Sequence, residues 1–280
     1  MRGSRALGAL GAFLIASLVV LALAGDRVAG YRFDAQDSAH ALEPPSRAHW
    51  LGTDALGRDQ LARLAEGARV SLLVATGATS LALLIGLGYG LVAGWLGGRV
   101  DGLMMRVVDV VYALPDVLVI VLLIEVLQVT LAGVPDVARR IAALVVSLGF
   151  VGWVGIARLV RALVLQAREE TWVEAARALG LRNRRILLRH VLPNISGPIL
   201  VAAAFQIPAA ILAESTLSFI GLGIQPPFSS WGTMANDGFE AMRSYPHLIL
   251  FPCVAIFVAL LGFHLLGEML RERLDPRRRA

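Results

Sequence analysis

Long apolar stretches separated by short polar segments dominate the chain. The first runs from Ala6 to Gly25 without a charged residue and is long enough to cross a bilayer as a helix. Five more mainly apolar stretches follow, so the pattern predicts about six membrane-spanning helices. The predicted spans after the first are residues 71–96, 107–129, 141–163, 199–216 and 248–266. The predicted fold class is therefore all-α, a polytopic membrane protein.

The first span, assigned to residues 1–25, also resembles a signal peptide. Arg2 and Arg5 precede it, and its apolar part is longer than the core of a usual signal peptide. The sequence therefore predicts an uncleaved helix with a cytoplasmic N-terminus. Small residues near Ala22 and Ala24 leave cleavage as the alternative.

Residues 26–70 are polar and mix acids with arginines, so they are predicted to form a periplasmic segment. Near the end of this segment, residues 59–66 place Leu61 and Leu64 on one helical face. Gly67 follows at the position where a helix commonly ends. This pattern predicts a short surface helix before the second span.

The composition agrees with a membrane protein and limits the kinds of site that the chain can carry. The chain has 280 residues, of which 57% are hydrophobic and 17% charged, which excludes a disordered chain. All 26 basic residues are arginine. A Walker A loop needs a lysine on the nucleotide phosphates, so any ATP-driven work must be done by a partner. No cofactor or metal site is predicted in this chain.

The arginines also predict the orientation in the membrane. The net charge of +5 comes from arginines that flank the apolar stretches, which is typical of cytoplasmic loops and not of nucleic-acid binding. With the N-terminus inside, the loop 168–194 and the tail 268–280 are both predicted to be cytoplasmic. In this orientation Arg139 and Arg140 lie on the outer side of the membrane, which weakens the assignment.

The cytoplasmic loop predicts a short helix with defined ends. Thr171 and Glu174 have the spacing of a capping box, and Gly180 is placed to take the left-handed conformation after the last turn. The centre of the helix has small residues that can enter a groove of a partner: Ala175, Ala176 and Ala178. From the residues alone, an ordinary linker helix is an equal alternative.

This loop resembles the EAA signature of the permease subunits of bacterial ABC importers. In that family the loop is a coupling helix that docks in a cleft of the ATP-hydrolysing subunit. His190 departs from the broad signature, which favours isoleucine there, and residues 189–194 are instead similar to the peptide-permease branch. The resemblance assigns contact with the ATPase to Thr171, Glu174, Ala175, Ala176, Ala178, Gly180, Leu192 and Pro193.

Three other blocks, within residues 49–72, 214–232 and 267–277, resemble dipeptide and oligopeptide permeases of the C type. The resemblance implies the type I importer fold and half of a peptide translocation path. It also implies a second permease chain, two ATPase subunits that bind ATP and Mg, and a periplasmic or lipid-anchored substrate-binding protein. Membrane lipid surrounds such a chain, which itself catalyses nothing.

Several residues in or near the spans are candidates for the pathway, since charged groups at membrane depth are costly. Glu214 is expected to face the pathway, and Asp116, after Pro115, either gates it or satisfies local backbone. Phe219 and Trp231 are candidates for an outer gate, with interfacial anchoring as the favoured alternative. For Asp109, an ion pair with Arg106 is the favoured interpretation.

The second span carries Gly86, Gly90, Gly94 and Gly98 at four-residue spacing, which predicts a face for close helix packing.

Two other functions stay open. A permease for nickel or another small solute is possible within the family, because the EAA signature says little about cargo. A proton-coupled secondary transporter, with Asp109, Asp116 or Glu214 as proton sites, belongs to another class. A membrane-embedded enzyme lacks support, because the sequence shows no nucleophile–base pair or metal-ligand motif.

Overall fold

The computed structural model describes residues 2–274 and confirms the all-α prediction. Within these residues the only β pairing is an isolated bridge between Thr53 and Asp59. The helices are α1 (Arg2–Ala29), α2 (Gln60–Leu96), α3 (Gly98–Ala113), α4 (Asp116–Thr130), α5 (Asp136–Arg168), α6 (Thr171–Ala178), α7 (Asn183–Ile186), α8 (Leu192–Phe219), α9 (Trp231–Ala241) and α10 (His247–Leu274). Of the predicted tail 268–280, residues 275–280 lie outside the described part of the chain.

Five helical stretches in residues 2–274 are long and apolar enough to cross a membrane, and α3 with α4 forms a sixth, bent one. The two helices meet at 91°, so the prediction of one helix over 107–129 is wrong. Leu114 is extended there and Pro115 caps α4. Proline disfavours helical backbone in the residue before it and has no amide hydrogen, which explains the break.

The predicted surface helix over 59–66 is also wrong, because these residues belong to the start of α2. Asp59 caps this 37-residue helix by accepting a hydrogen bond from the amide of Ala62 at 2.8 Å. Gly67 does not end a helix but lets α9 approach. A Cβ there would lie 2.9 Å from Cδ1 of Trp231.

The glycines of α2 bring it into backbone contact with α5. A Cβ on Gly90 would lie 2.6 Å from the carbonyl oxygen of Ala157 and 2.7 Å from Cβ of Val160. Gly86 and Gly94 are equally close to α5, and we call these three positions the glycine interface. The α5 side chains that pack on it repeat with the same four-residue step: Ile156, Val160 and Val164.

Gly98 does not continue this face. It begins α3 with φ +54°, and a Cβ added to it would meet nothing within 4 Å. The four-residue repeat ends because Gly97, at φ +66°, terminates α2 and turns the chain.

The segment between α1 and α2 is held to the helices by an ionic network. Asp54 accepts hydrogen bonds from Nε of Arg58 and Nη1 of Arg63, both at 2.6 Å. Arg63 also donates from Nη2 to Asp237 of α9 at 2.8 Å. Each charge therefore has an opposite partner, which is the condition under which charges are tolerated away from water.

We expect an alanine substitution to lower the stability of the protein at Gly90 but not at Gly88 of the same helix. A Cβ at Gly88 meets nothing within 4 Å, whereas one at Gly90 forces α2 and α5 apart. Alanine favours helices over glycine, so Gly88→Ala should leave the melting temperature unchanged or raise it. Gly90→Ala should cost about 1–3 kcal/mol through overpacking. Thermal unfolding of the purified protein measures both, and equal melting temperatures would contradict the glycine interface.

Candidate functional site

Helix α6 is a short element held between two of the long helices. Only Glu169 and Glu170 separate it from the end of α5. After α6, α7 leads into a π-helical turn, Leu187–Val191, that continues directly into α8. Short links of this kind leave α6 little freedom to move independently of α5 and α8.

The start of α6 corrects the predicted capping box. Glu170 is the N-cap residue, in extended conformation, and no side chain caps the first turn. Thr171 is already helical, so Thr171 and Glu174 lie one position too far along to form the box. The backbone carbonyl of Glu170 instead accepts from the amide of Val173 at 2.9 Å.

Helix α6 ends where Gly180 predicts that it should. Gly180 has φ +77°, a conformation that is strained for residues with a side chain. Its amide donates to the carbonyl of Arg177 at 2.9 Å, and the amide of Leu181 donates to Ala176 at 3.2 Å. This is the Schellman pattern, which satisfies two otherwise unpaired carbonyls at the helix end.

Helix α6 has one buried and one exposed face. Val173 and Ala176 are buried against the end of α5 and the start of α8, so Ala176 is not available to a partner, contrary to the prediction. The exposed residues of α6 and of the turn that ends it are Thr171, Glu174, Ala175, Arg177, Ala178, Leu179 and Gly180. Leu179, 82% exposed, was missed by sequence reasoning. An apolar residue immediately before the terminating glycine was the available signal.

Two arginines connect the α6 region to the end of α2. The guanidinium of Arg177 lies over the ring of Trp95, 5.4 Å from its centre. Arg168, at the end of α5, donates from Nη1 to the carbonyl of Gly94 at 3.0 Å. The C-terminal ends of α2, α5 and α6 therefore contact one another.

Leu192 and Pro193 begin α8 next to the π-helical turn. Leu192 is half-buried and packs with the buried face of α6, whereas Pro193 is exposed. The amide of Leu192 donates to the carbonyl of Leu187, five residues back. Because Pro193 has no amide hydrogen, it cannot restore the ordinary α-helical bond at this point.

A cavity of about 390 Å³ lies between α2, α4, α5 and α8, and we call it the central cavity. Of the four residues predicted for the pathway, only Asp116 lines it. The bend after α3 brings Asp116 there, because Tyr112 and Asp116, on either side of Leu114 and Pro115, both face the cavity. Small residues of α2, α5 and α8 form much of the remaining wall, among them Ala78, Gly152, Gly155, Ala209 and Ala213.

Glu214 does not face the central cavity, which corrects the prediction. Its side chain is fully buried and accepts hydrogen bonds from the hydroxyls of Ser71 at 2.8 Å and Ser218 at 2.7 Å. Ser215 adds a longer one at 3.4 Å. These hydroxyls supply the polar partners that the carboxyl group needs inside the protein, so Glu214 joins α2 to α8.

Phe219 and Trp231 are packing residues in this chain, not members of an open gate. Trp231 is fully buried and its Nε1 donates to the carbonyl of Leu64 at 3.2 Å, so interfacial anchoring is excluded for it. Phe219 is half-buried and meets the ring of Phe239 edge-on at 5.8 Å. Both side chains are packed in this way because α9 folds back onto α2 and α8.

Asp109 pairs across helices and not with Arg106. Its carboxylate accepts from Nη2 of Arg158 on α5 at 2.7 Å, and the same guanidinium lies 4.3 Å from the ring centre of Tyr112. Arg161 and Asp101 form a second such pair between α5 and α3. Within residues 2–274, no group of three or more His, Cys, Asp or Glu is arranged to hold a metal ion.

Comparison with known proteins identifies the family. Residues 67–280 match the family described as binding-protein-dependent transport system inner membrane component. The chain is 43% identical over 270 residues to the dipeptide transport system permease protein DppC of Bacillus subtilis, covering 96% of this chain and 81% of that protein. It is 37% identical over 276 residues to the oligopeptide transport system permease protein OppC of the same organism, covering 99% and 87%.

A similar relative from another organism is the oligopeptide transport system permease protein OppC of Mycobacterium tuberculosis. The identity is 35% over 280 residues, which covers 100% of this chain and 93% of that protein. The chain therefore belongs to the family of binding-protein-dependent transport system inner membrane components.

Proposed function

We propose that this chain forms half of the translocation path of an ATP-driven importer of dipeptides or oligopeptides. Family membership supports transport across the inner membrane, and the names of the relatives support peptides as the cargo. The observation that carries the proposal is the exposed face of α6. It offers a partner Leu179, Ala175 and Glu174 on an element that is connected to two walls of the central cavity.

The partners are proposed from the same features. Six spans seldom enclose a substrate path alone, so a second, related permease chain completes it. Two ATPase subunits hold ATP and Mg and receive α6, since this chain has no lysine for a Walker A loop and is proposed to catalyse nothing. A periplasmic or lipid-anchored binding protein delivers the peptide to the outer face.

The mechanism follows from how the helices are joined. When ATP binding closes the ATPases, α6 moves and takes the ends of α5 and α8 with it. Because the glycine interface packs α2 directly against the backbone of α5, α2 moves together with α5. The central cavity lies between these helices and α4, so its shape changes with the position of α6. Such rigid-body shifts between two packings are an established way of switching access.

The coupling role is tested at Gly180 and Glu174. Gly180→Val forces a branched side chain into φ +77° and should disturb the end of α6. Glu174→Arg reverses an exposed charge that has no partner among residues 2–274. Each variant should lower peptide uptake and peptide-stimulated ATP hydrolysis by about tenfold or more, as expected for loss of an interface anchor. Both activities are measured in the reconstituted complex.

Gly30→Val is the matched control for Gly180→Val. Gly30 has φ +72° and, like Gly180, open space around a Cβ, but it lies just after α1. The backbone strain is the same at both positions, but Gly30 does not end α6. Gly30→Val should therefore insert and transport normally. Normal uptake by both α6 variants would contradict the coupling role.

The energy source separates this proposal from a secondary transporter. Uptake into proteoliposomes should require ATP on the side of α6 and should continue when a protonophore collapses the proton gradient. A proton-coupled transporter that uses Asp109 or Asp116 would behave in the opposite way. Uptake that persists without ATP and stops with the protonophore would refute the proposal.

A further inference from the structure

A buried hydroxyl faces the central cavity without a hydrogen-bond partner. Thr79 on α2 is 6% exposed, lines the cavity, and its Oγ1 bonds to no atom of the described chain. Its neighbours behave differently. Thr76 and Ser80 each donate to the carbonyl four residues earlier, both at 2.7 Å. A hydroxyl in a membrane helix ordinarily satisfies itself in this way, so Thr79 is an exception that needs an explanation.

Two more polar side chains reach the same cavity from other helices. Asp116 is the first residue of α4, and Gln206 lies in the middle of α8. Among residues 2–274 neither makes a hydrogen bond or ion pair, and the nearby cation Arg158 is already paired with Asp109. Three helices therefore direct a hydroxyl, a carboxylate and an amide into one space.

The space is kept open by glycine. A Cβ on Gly155 would meet nothing within 4 Å, so this position leaves the cavity wall flat. A Cβ on Gly152 would lie 2.5 Å from Nε2 of Gln206, so glycine is what allows the amide to pack against α5. The break between α3 and α4 lies at the same cavity. Non-helical backbone at membrane depth is tolerated where it is buried in protein or lines a water-filled cavity.

The unpaired groups indicate what the cavity binds. A carboxylate that has no ion-pair partner attracts a cation, and a hydroxyl with an amide can both donate to and accept from a peptide group. A volume of about 390 Å³ lies within the range of small-ligand sites. A free peptide combines these features at one end, where an α-ammonium group is followed by a peptide bond.

We propose that the central cavity is a subsite for the N-terminal end of the peptide in transit. Asp116 binds the α-ammonium group, and Thr79 and Gln206 bind the first peptide bond. The inference rests on the proposed function, whose cargo it specifies. Binding must be weak, because cargo in a translocation path has to leave again.

Asp116 has a structural alternative that the test must separate. A carboxylate in the first turn of a helix is also favoured by the helix dipole, and Asp116 begins α4. Loss of that contribution would affect every cargo equally, whereas loss of an ammonium contact affects only cargo with a free N-terminus.

The experiment compares trialanine with N-acetyl-trialanine in proteoliposomes that contain the complete importer. The affinity of each peptide for the binding protein is measured separately, and uptake is compared at matched occupancy. Asp116→Asn should raise the KM for trialanine about tenfold, as expected for loss of a charge-assisted hydrogen bond, with little change for the acetylated peptide. Asp116→Glu should retain most of the preference for trialanine. Glu125→Gln removes an exposed carboxylate from the same helix outside the cavity and should change neither.

An equal effect of Asp116→Asn on both peptides, or no effect, would overturn the subsite. Gly155 provides an independent arm because it does not depend on the choice of cargo. A Cβ on Gly155 meets nothing within 4 Å, so Gly155→Ala takes up cavity volume without a clash and Gly155→Val takes up more, and the two variants should lower uptake increasingly in that order. Undiminished uptake by Gly155→Val would show that the cavity is not on the path.

Failure of the subsite and failure of the proposed function give different results. If the unaltered complex shows no ATP-driven uptake of trialanine, the proposed function is wrong. If it transports trialanine but Asp116→Asn leaves the preference over the acetylated peptide unchanged, only the subsite is wrong.

Discussion

Backbone contact between α2 and α5 sets the geometry of both ends of this permease. Lipid offers no hydrophobic gain for pressing two helices together, so close packing depends on small residues and on direct van der Waals contact. Gly86, Gly90 and Gly94 supply that contact over three turns. The interface leads at the C-terminal end of α2 to Arg168, which bonds to Gly94, and toward the start of α2 it leads to the wall of the central cavity. In the proposed mechanism, motion at α6 is transmitted through this backbone contact between α2 and α5.

Some polar side chains of the described chain have partners within it, and others do not. Glu214 and the network of Asp54, Arg58 and Arg63 have partners within the chain, and these contacts hold α2, α8, α9 and the segment between α1 and α2 together. Thr79 and Asp116 have no hydrogen-bond partner within residues 2–274, and both line the central cavity. These two groups come from different helices and reach the same space, and the proposed subsite for the peptide rests on them.

Local sequence signals predicted much of the fold. Apolar length predicted the long helices, and Gly180 predicted the end of α6, because only a residue without a side chain takes that backbone conformation freely. Contacts between distant segments were not predictable in the same way. The sequence of α8 shows that Glu214 is acidic, but not that Ser71, 143 residues away, is placed to bond to it. The position of Thr171 could not be settled either, because the helix begins one residue earlier than the capping pattern requires.

The transmission from α6 to the central cavity can be measured as a distance. Spin labels on cysteines at Val117 and Ala209, placed after Cys253 is replaced by alanine, report the separation of α4 and α8 across the cavity. In the complete importer, trapping the ATPases in the nucleotide-bound state should change this distance, and the change should disappear in Gly180→Val. If the distance does not change when nucleotide is bound, or changes equally when Gly180 is replaced, α6 does not control the shape of the cavity.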